Sequence, residues 1–261
     1  MKFHSLVFLI ASAVVLPAPV SPIQAAVGGL QPAMIGAGAD SIASKLHYPP
    51  KERAASQQAA VAFNCEVRTD GKPSQIEIRC DRKLSRFGDA VYVALRVARF
   101  VPAQAGGKVV PVTIGGTVLF TIDGGKPTIA ISLATAEQEK IASRQNYIQP
   151  QMIGGPEFRR KLFSLMDQYL LEYTKDTGAE VLAQVDAQGN LTGTKLLAEA
   201  PPNGGWGRLL LEAMEGQKFI PAMKSGQFVA GAFNLILNVN KVRDPDAAPR
   251  VGTLIKDGDV R

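Results

Sequence analysis

Few side chains in this sequence could carry out acid–base or metal chemistry. Histidine occurs only at His4 and His47, so no two histidines can share a metal ion in the mature chain and only His47 could act as a base. The carboxylates Glu137 and Glu139 lie in a polar stretch, where exposure to solvent is the ordinary explanation for them. Glycine-rich patches lie beside or within predicted strands, whereas a phosphate-binding loop opens a helix. The sequence therefore predicts a protein that is not an enzyme, with no cofactor and no small-molecule substrate.

Two cysteines, Cys65 and Cys80, are the remaining candidates for chemistry. Side chains along a strand alternate between its two faces, and each cysteine lies on the face of its predicted strand that points toward the core. We expect an exported protein to join two such cysteines in a disulfide, and two buried free thiols are the alternative. The register of the hairpin decides between them. A tight turn at Asp70 and Gly71 leaves the sulfur atoms too far apart, whereas a six-residue loop places Cys65 opposite Cys80.

The elements that would position these residues occur twice, in the same order. Each copy has a strand, a turn with glycine, a second strand, an amphipathic helix and a third strand. A constant offset of 119 residues pairs Phe87 with Trp206, Val91 with Leu210, Leu95 with Met214, Phe100 with Phe219 and Pro102 with Pro221. Self-similarity at a fixed offset predicts two tandem copies of one small domain.

The directions of these elements predict the topology of each copy. The third strand runs antiparallel to the first, so the expected order is two, one, three, with the helix across one face. The fold class is α+β, with two tandem ββαβ domains that are each a three-stranded antiparallel sheet with a helix on one face. The second domain has an extra N-terminal helix, predicted over residues 156–175. We expect its apolar stripe to pack on the second sheet or between the domains, in preference to binding a partner.

The N-terminal residues have the pattern of a cleavable signal peptide. Lys2 is followed by an apolar run over residues 6–16, prolines and the small residues Ala25 and Ala26. The run is well short of the roughly 20 residues that a membrane-spanning helix needs. We therefore expect export to the periplasm. The predicted divisions are a signal peptide over 1–25, a flexible leader over 26–44, domain 1 over 45–122, a linker over 123–146, domain 2 over 147–239 and a polar tail over 240–261.

The charge pattern argues against nucleic acid as a partner. The formal net charge is +6, but the cations are scattered and aromatic residues are few. Neither a dense basic run nor a stacking platform for single strands is evident. In an exported protein, such a charge suits solubility or attraction to anionic envelope surfaces.

The third strand of each copy is predicted to be an edge of its sheet. Neither edge has a charge or a proline over its last residues, and unguarded edges accept added strands. The functional interpretation is recognition of an extended peptide through main-chain hydrogen bonds. The alternative is that each edge is satisfied by the other copy, by the linker or by self-association. The predicted partner-binding residues are Thr117, Leu119, Thr121, Asn234, Ile236 and Asn238.

Several short motifs together resemble a known family. In order, they are Tyr48-Pro49, the turn Asp70-Gly71-Lys72, the helix end Arg99-Phe100-Val101-Pro102-Ala103 and Gly107-Lys108 before a final strand. Their order and spacing over residues 45–122 resemble the C-terminal domain of the energy transducer TonB, and residues 147–239 resemble it more weakly. The resemblance implies a periplasmic module that binds extended segments of outer-membrane transporters or other envelope proteins along its last strand.

Two departures from the family affect what the resemblance implies. The family's transducers have a membrane anchor and a long proline-rich spacer, whereas this chain has a cleavable-looking signal, a short leader and a second domain copy. The resemblance therefore implies the fold and peptide binding more than force transmission. A structural or self-associating envelope protein and a membrane-anchored energy transducer are the alternative interpretations.

Overall fold

A computed structural model describes residues 29–135, 146–169 and 177–238. The predicted signal peptide and polar tail lie outside these residues, as do the middle of the predicted linker and the last turns of the predicted 156–175 helix. None of the helices within the described ranges is both long and apolar enough to cross a membrane.

The first half of the described chain has eight strands and three α-helices. In chain order they are β1 (Met34–Ile35), α1 (Ile42–Lys45), α2 (Pro50–Ala54), β2 (Ala59–Val67), β3 (Pro73–Arg79), α3 (Ser85–Val97), β4 (Phe100–Val101), β5 (Ala103–Ala105), β6 (Lys108–Val110), β7 (Val112–Asp123) and β8 (Lys126–Ser132). A short 3₁₀ turn, Arg82–Leu84, leads into α3.

The second half repeats much of this order. Its elements are β9 (Tyr147–Ile148), β10 (Gln151–Ile153), α4 (Gly155–Tyr169), β11 (Gly178–Val185), β12 (Leu191–Ala200), α5 (Trp206–Met214), β13 (Phe219–Ile220), β14 (Ala222–Lys224), β15 (Gln227–Val229) and β16 (Gly231–Asn238). At an offset of 119 residues, β4, β5 and β6 coincide with β13, β14 and β15 residue for residue, and α3 overlaps α5.

The strand orders agree with the predicted topology. The first half contains the order β3-β2-β7 and the second contains β12-β11-β16, and all these pairs are antiparallel. Helix α3 contacts β2 and β3, and helix α5 contacts β11 and β12. Each helix therefore covers one face of its sheet, as its apolar periodicity predicts.

Each helix buries its apolar stripe in a separate core. The first core joins the α3 residues Phe87, Val91, Ala94 and Leu95 to the β2 residues Val61, Phe63, Cys65 and Val67. The second core joins the α5 residues Trp206, Leu210 and Met214 to the β11 residues Val181 and Val185 and to the α4 residues Phe158, Leu162, Leu165 and Met166. The apolar stripe of the extra helix therefore lies in the second core against α5, whereas the sequence analysis expects it on the second sheet or between the domains.

The first sheet differs from the prediction, because it has six strands instead of three. Strand β8 pairs with β7 over seven residues, and β10 pairs with the start of β7 and with β13. The β7–β8 hairpin turns at Gly124 and Gly125, which have φ values of 53° and 79°. Left-handed φ at both positions is what a tight two-residue hairpin requires. Residues 126–132 are thus a strand and not the linker that the sequence analysis expects.

The predicted leader also has regular structure in its described part, residues 29–44. Strand β1 pairs with β4, and Ala33 is fully buried. The Gln151 side chain accepts a hydrogen bond from the Ala33 N–H at 2.7 Å and donates one to the Ala33 carbonyl at 2.8 Å. These contacts join the segment to the second half of the chain. Composition alone predicted a flexible leader and could not reveal them.

The predicted disulfide is wrong, because both cysteines are buried free thiols. Arg79 lies opposite Ala62, so Cys80 is well out of register with Cys65, which lies at the irregularity in the β2–β3 pairing. The tight turn at Gly71 sets this register. With such a turn, the sequence analysis expects the two sulfur atoms to lie too far apart for a disulfide. Burial raises the pKa of the Cys80 thiol to about 11 and also raises the pKa of Cys65.

Candidate partner-binding site

The first candidate site is the side of β7 that faces away from β2, here called the β7 border. The Ile122 N–H donates to Gln58 Oε1 at 3.0 Å, on the β2 side of the strand. Because main-chain groups alternate in direction along a strand, the N–H of Thr121 points the other way, together with those of Leu119 and Thr117. The predicted residues therefore present their main-chain groups at this border.

Strand β8 occupies the β7 border. Thr117, Leu119 and Thr121 lie opposite Ser132, Ala130 and Thr128 of β8. Thr117 is fully buried, and its hydroxyl donates to the Ala134 carbonyl at 2.8 Å. The expectation that the third strand of the first copy is a sheet edge is therefore wrong, because the following hairpin supplies the next strand.

Strand β8 itself is exposed. The side chains of Lys126, Pro127, Thr128 and Ala130 are open to solvent, and those of Ile129 and Ile131 are half-buried against the first core. Within the described ranges, no strand other than β7 pairs with it. Main-chain hydrogen bonds to β7 and two isoleucine side chains therefore account for most of its attachment.

The second candidate site is the side of β16 that faces away from β11, here called the β16 border. A single side chain from the first sheet satisfies its centre. Asn64 Nδ2 donates to the Asn234 carbonyl at 3.0 Å, and the Ile236 N–H donates to Asn64 Oδ1 at 3.2 Å. Asn238 is half-buried at the end of the described part of β16. The Asn64 amide thus pairs with β16 as the N–H and the carbonyl of one residue in a neighbouring strand would.

Buried polar side chains surround this contact. Asn234 Nδ2 donates to Glu180 Oε1 at 2.6 Å, and Arg79 pairs with the other Glu180 oxygen at 3.1 Å. Glu180 is almost completely buried, and a buried carboxylate requires such partners. The β16 border therefore lies on the face of the first sheet opposite α3, joined to it by hydrogen bonds and an ion pair.

The glycine of each first hairpin packs against the same motif in both halves. The Phe100 N–H donates to the Gly71 carbonyl at 2.9 Å, and the Phe219 N–H donates to the Gly189 carbonyl at 3.0 Å. Both glycines have positive φ, and a Cβ on either would collide with the carbonyl oxygen of the phenylalanine. This contact explains why the Phe-x-Pro motif and the hairpin glycine occur together in each copy.

The turn aspartates are held as carboxylates. The Lys72 N–H donates to Asp70 and lowers the pKa of that carboxyl, and the side chain and N–H of Asn190 do the same for Asp186. Among the residues described, no group of three His, Cys, Asp or Glu side chains is placed to bind a metal ion. The groups that the two borders present are main-chain N–H and carbonyl groups, which β8 and Asn64 bond.

An antiparallel sheet with one covering helix and a border that takes an extra strand is an α+β arrangement. Residues 44–122 match the model of the family described as Gram-negative bacterial TonB protein C-terminal, so this segment is TonB C-terminal-like. The matched range ends within β7, before β8. No curated protein and no solved structure matches the chain.

Sequence reasoning missed two features of these borders. The Gly124-Gly125 pair was a hairpin signal, and its assignment to a linker hid β8. Asn64 lies between the core-facing residues Phe63 and Cys65, on the other face of β2, and the sequence analysis assigned it no role. Its burial depends on the second half of the chain, and no local pattern reveals that.

Proposed function

We propose that this chain is a non-enzymatic, periplasmic TonB-like protein that binds an extended segment of a cell-envelope or outer-membrane protein by strand addition. The site is the β7 border, and the partner segment takes the place of β8. The observation that carries the proposal is the pairing of β8 with β7, because it demonstrates that this border accepts a seven-residue strand. In strand addition, main-chain hydrogen bonds supply affinity and alternate side chains supply selectivity.

The composition of β8 favours its exchange. Its exposed side chains lose little on leaving the sheet, and a partner segment would restore the same main-chain hydrogen bonds to Thr117, Leu119 and Thr121. A segment with larger apolar residues opposite Phe120 and Val118 than Ile129 and Ile131 would bury more area against the first core. We therefore expect a partner segment of alternating apolar residues.

A reversible cross-link tests the exchange. We expect Leu119→Cys with Ala130→Cys to form a disulfide across β7 and β8, because these residues are opposite each other and hydrogen-bonded pairs have the Cα separation that disulfides tolerate, about 5.5 Å. The oxidised protein should capture no partner from envelope extracts, and the reduced protein should capture it. The native thiols are buried and do not compete.

The matched control places the same cross-link in another hairpin. Gln104 and Val109 lie opposite each other in the β5–β6 pair, so Gln104→Cys with Val109→Cys oxidises without touching β7. This control variant should capture the same amount of partner whether it is oxidised or reduced. Equal capture by the oxidised and reduced forms of the Leu119–Ala130 variant rules out exchange of β8.

A second candidate function has its own support. Because β8 occupies the β7 border and Asn64 satisfies the centre of the β16 border, the chain could be a structural or self-associating envelope protein. Absence of any captured partner in every form of the cross-linked variant would favour this candidate. A membrane-anchored energy transducer depends on the N-terminal residues, which lie outside the described ranges, and the N-terminal residue of the mature protein tests it.

We also propose that residues 147–239 form a second TonB-like domain. The element order and the repeated Gly–Phe contact support this proposal, and its β16 border would bind a partner at Asn234, Ile236 and Asn238 only after separation from Asn64. Ile236→Pro removes the N–H that bonds Asn64 without introducing a new side-chain charge. Loss of a partner from this variant, but not from the Leu119–Ala130 cross-link, would assign that partner to the β16 border.

A further inference from the structure

The equivalent helices α3 and α5 differ in what covers their outer faces. Helix α4 lies across α5, where Lys161 Nζ donates to the Glu215 carbonyl at 2.8 Å. The Tyr169 hydroxyl donates to Glu212 at 2.7 Å, and the Arg208 guanidinium lies 5.1 Å from the centre of the Tyr169 ring. The second copy therefore shows that an amphipathic helix fits the outer face of this domain.

Within the described residues, no long helix covers the corresponding face of α3. At an offset of 119 residues, Arg208, Glu212 and Glu215 correspond to Asp89, Val93 and Arg96. The four-residue α1 contacts α3, but Val93 stays 62% exposed and Val97 stays 58% exposed. These two are the most exposed large apolar side chains in the described part of the chain.

The exposed valines belong to one row of side chains. The row consists of Arg86, Ala90, Val93 and Val97, spaced four, three and four residues apart, and we call it the α3 outer stripe. This spacing places all four on one side of the helix. Ala90 takes the position of Leu209, which is fully buried in the second copy, so a small side chain leaves room for a helix to approach.

The charges beside the stripe indicate which kind of helix would fit. In the second copy, α4 brings Lys161 to the end of α5, which carries Glu212 and Glu215, whereas Arg159 of α4 pairs with Glu66 of β2. The charges are reversed around α3. The four exposed cations Arg82, Lys83, Arg86 and Arg96 outnumber the two exposed anions Asp81 and Asp89. A second copy of α3 would bring like charges together, whereas an acidic helix would neutralise them.

We propose that the α3 outer stripe is a docking site for an amphipathic helix with acidic flanks, supplied by a partner protein. The site is separate from both strand borders, because α3 covers the face of the first sheet opposite the one that meets β16. Binding there leaves β8 and Asn64 undisturbed. A partner could therefore contribute a helix to α3 and an extended segment to β7 at the same time.

A peptide derived from α4 tests the proposal. The probe has the sequence of residues 155–169 with Arg159→Glu, Arg160→Glu and Lys161→Glu, is held helical by a staple on its polar face and carries a fluorescent label. Fluorescence anisotropy with the full chain should show binding. We expect Val93→Glu, which introduces the residue that the second copy has at this position, to weaken binding about tenfold or more, as loss of a central contact does. Val109→Glu, at another exposed valine, should leave binding unchanged.

Four results would overturn the proposal. The native basic α4 peptide could bind the wild-type chain as tightly as the acidic probe, or the Val93→Glu variant could bind the probe as the wild type does. Sedimentation velocity could show a wild-type dimer that Val93→Glu dissociates, which would assign the stripe to a second copy of this chain. Flotation with vesicles of anionic phospholipid that requires Val93 would likewise assign it to a membrane surface.

Discussion

The β7 and β16 borders occupy equivalent positions in the two halves but are satisfied in different ways. A seven-residue strand covers much of the β7 border, whereas one asparagine side chain satisfies the centre of the β16 border. An amide side chain can do this because its donor and its acceptor can both face one strand, as the N–H and the carbonyl of a single residue in a neighbouring strand do. The comparison teaches that a border which can add a strand can also be satisfied within the chain, and that the two solutions differ in how readily a partner could replace them.

The cysteines provide the most sensitive test of the β2–β3 register that places Arg79 beside Glu180. A Cys65–Cys80 disulfide would require β3 to slide along β2, and Arg79 would lose its ion pair with Glu180. We expect unreduced protein to react with two equivalents of a thiol reagent in denaturant, and at least about a thousandfold more slowly when folded, because reaction requires opening of the core. Reaction of fewer than two thiols in unreduced, denatured protein would show that the register is different.

Substitution of Asn64 should have the largest effect on stability. Asn64→Leu keeps the volume but leaves the Asn234 carbonyl and the Ile236 N–H without their partner, at a cost of about 3 kcal/mol. Urea unfolding measures the loss, and hydrogen exchange at the Ile236 amide should accelerate. Thr117→Val is the matched change at the other border. It removes one hydroxyl donor and should cost about 1 kcal/mol. Equal losses for the two variants would contradict the importance of the Asn64 contact.

Local elements of the fold could be predicted from the sequence, whereas the covering of the borders could not. The helix stripe from Phe87 to Leu95 and the alternation around Phe63 are local patterns, so they predicted the elements and their order. The Asn64–Asn234 hydrogen bond joins residues 170 positions apart, and nothing near either residue identifies the other. Strand β8 lies between these cases, because its Gly-Gly turn was a local signal that a linker assignment overrode.

The β8 hairpin should respond to strain at its turn. Gly124 has φ of 53° and open space around its Cα, so Gly124→Ala adds only backbone strain, about 1 kcal/mol. We expect faster hydrogen exchange at the Leu119 and Thr121 amides, unchanged exchange at Ile236 and increased partner capture. Gly226→Ala imposes the same strain on the β14–β15 hairpin and should leave capture unchanged. Capture that falls with Gly124→Ala would indicate that the partner binds outside β8 instead of replacing it.

The turn aspartates should give the smallest effect, because both are exposed. Hydrogen bonds hold the folded-state pKa of Asp70 and of Asp186 below the usual value of 3.8. A carboxyl whose pKa is lower in the folded state stabilises the fold above its unfolded pKa, and this contribution is lost as the pH falls through the folded value. The side chain and the N–H of Asn190 both bond Asp186, whereas Asp70 accepts one N–H from Lys72. Asp186→Asn should therefore reduce the pH dependence of urea midpoints below about pH 4 more than Asp70→Asn does. The reverse order would mean that the first turn, beside the TonB-like Phe-x-Pro motif, is the better ordered of the two.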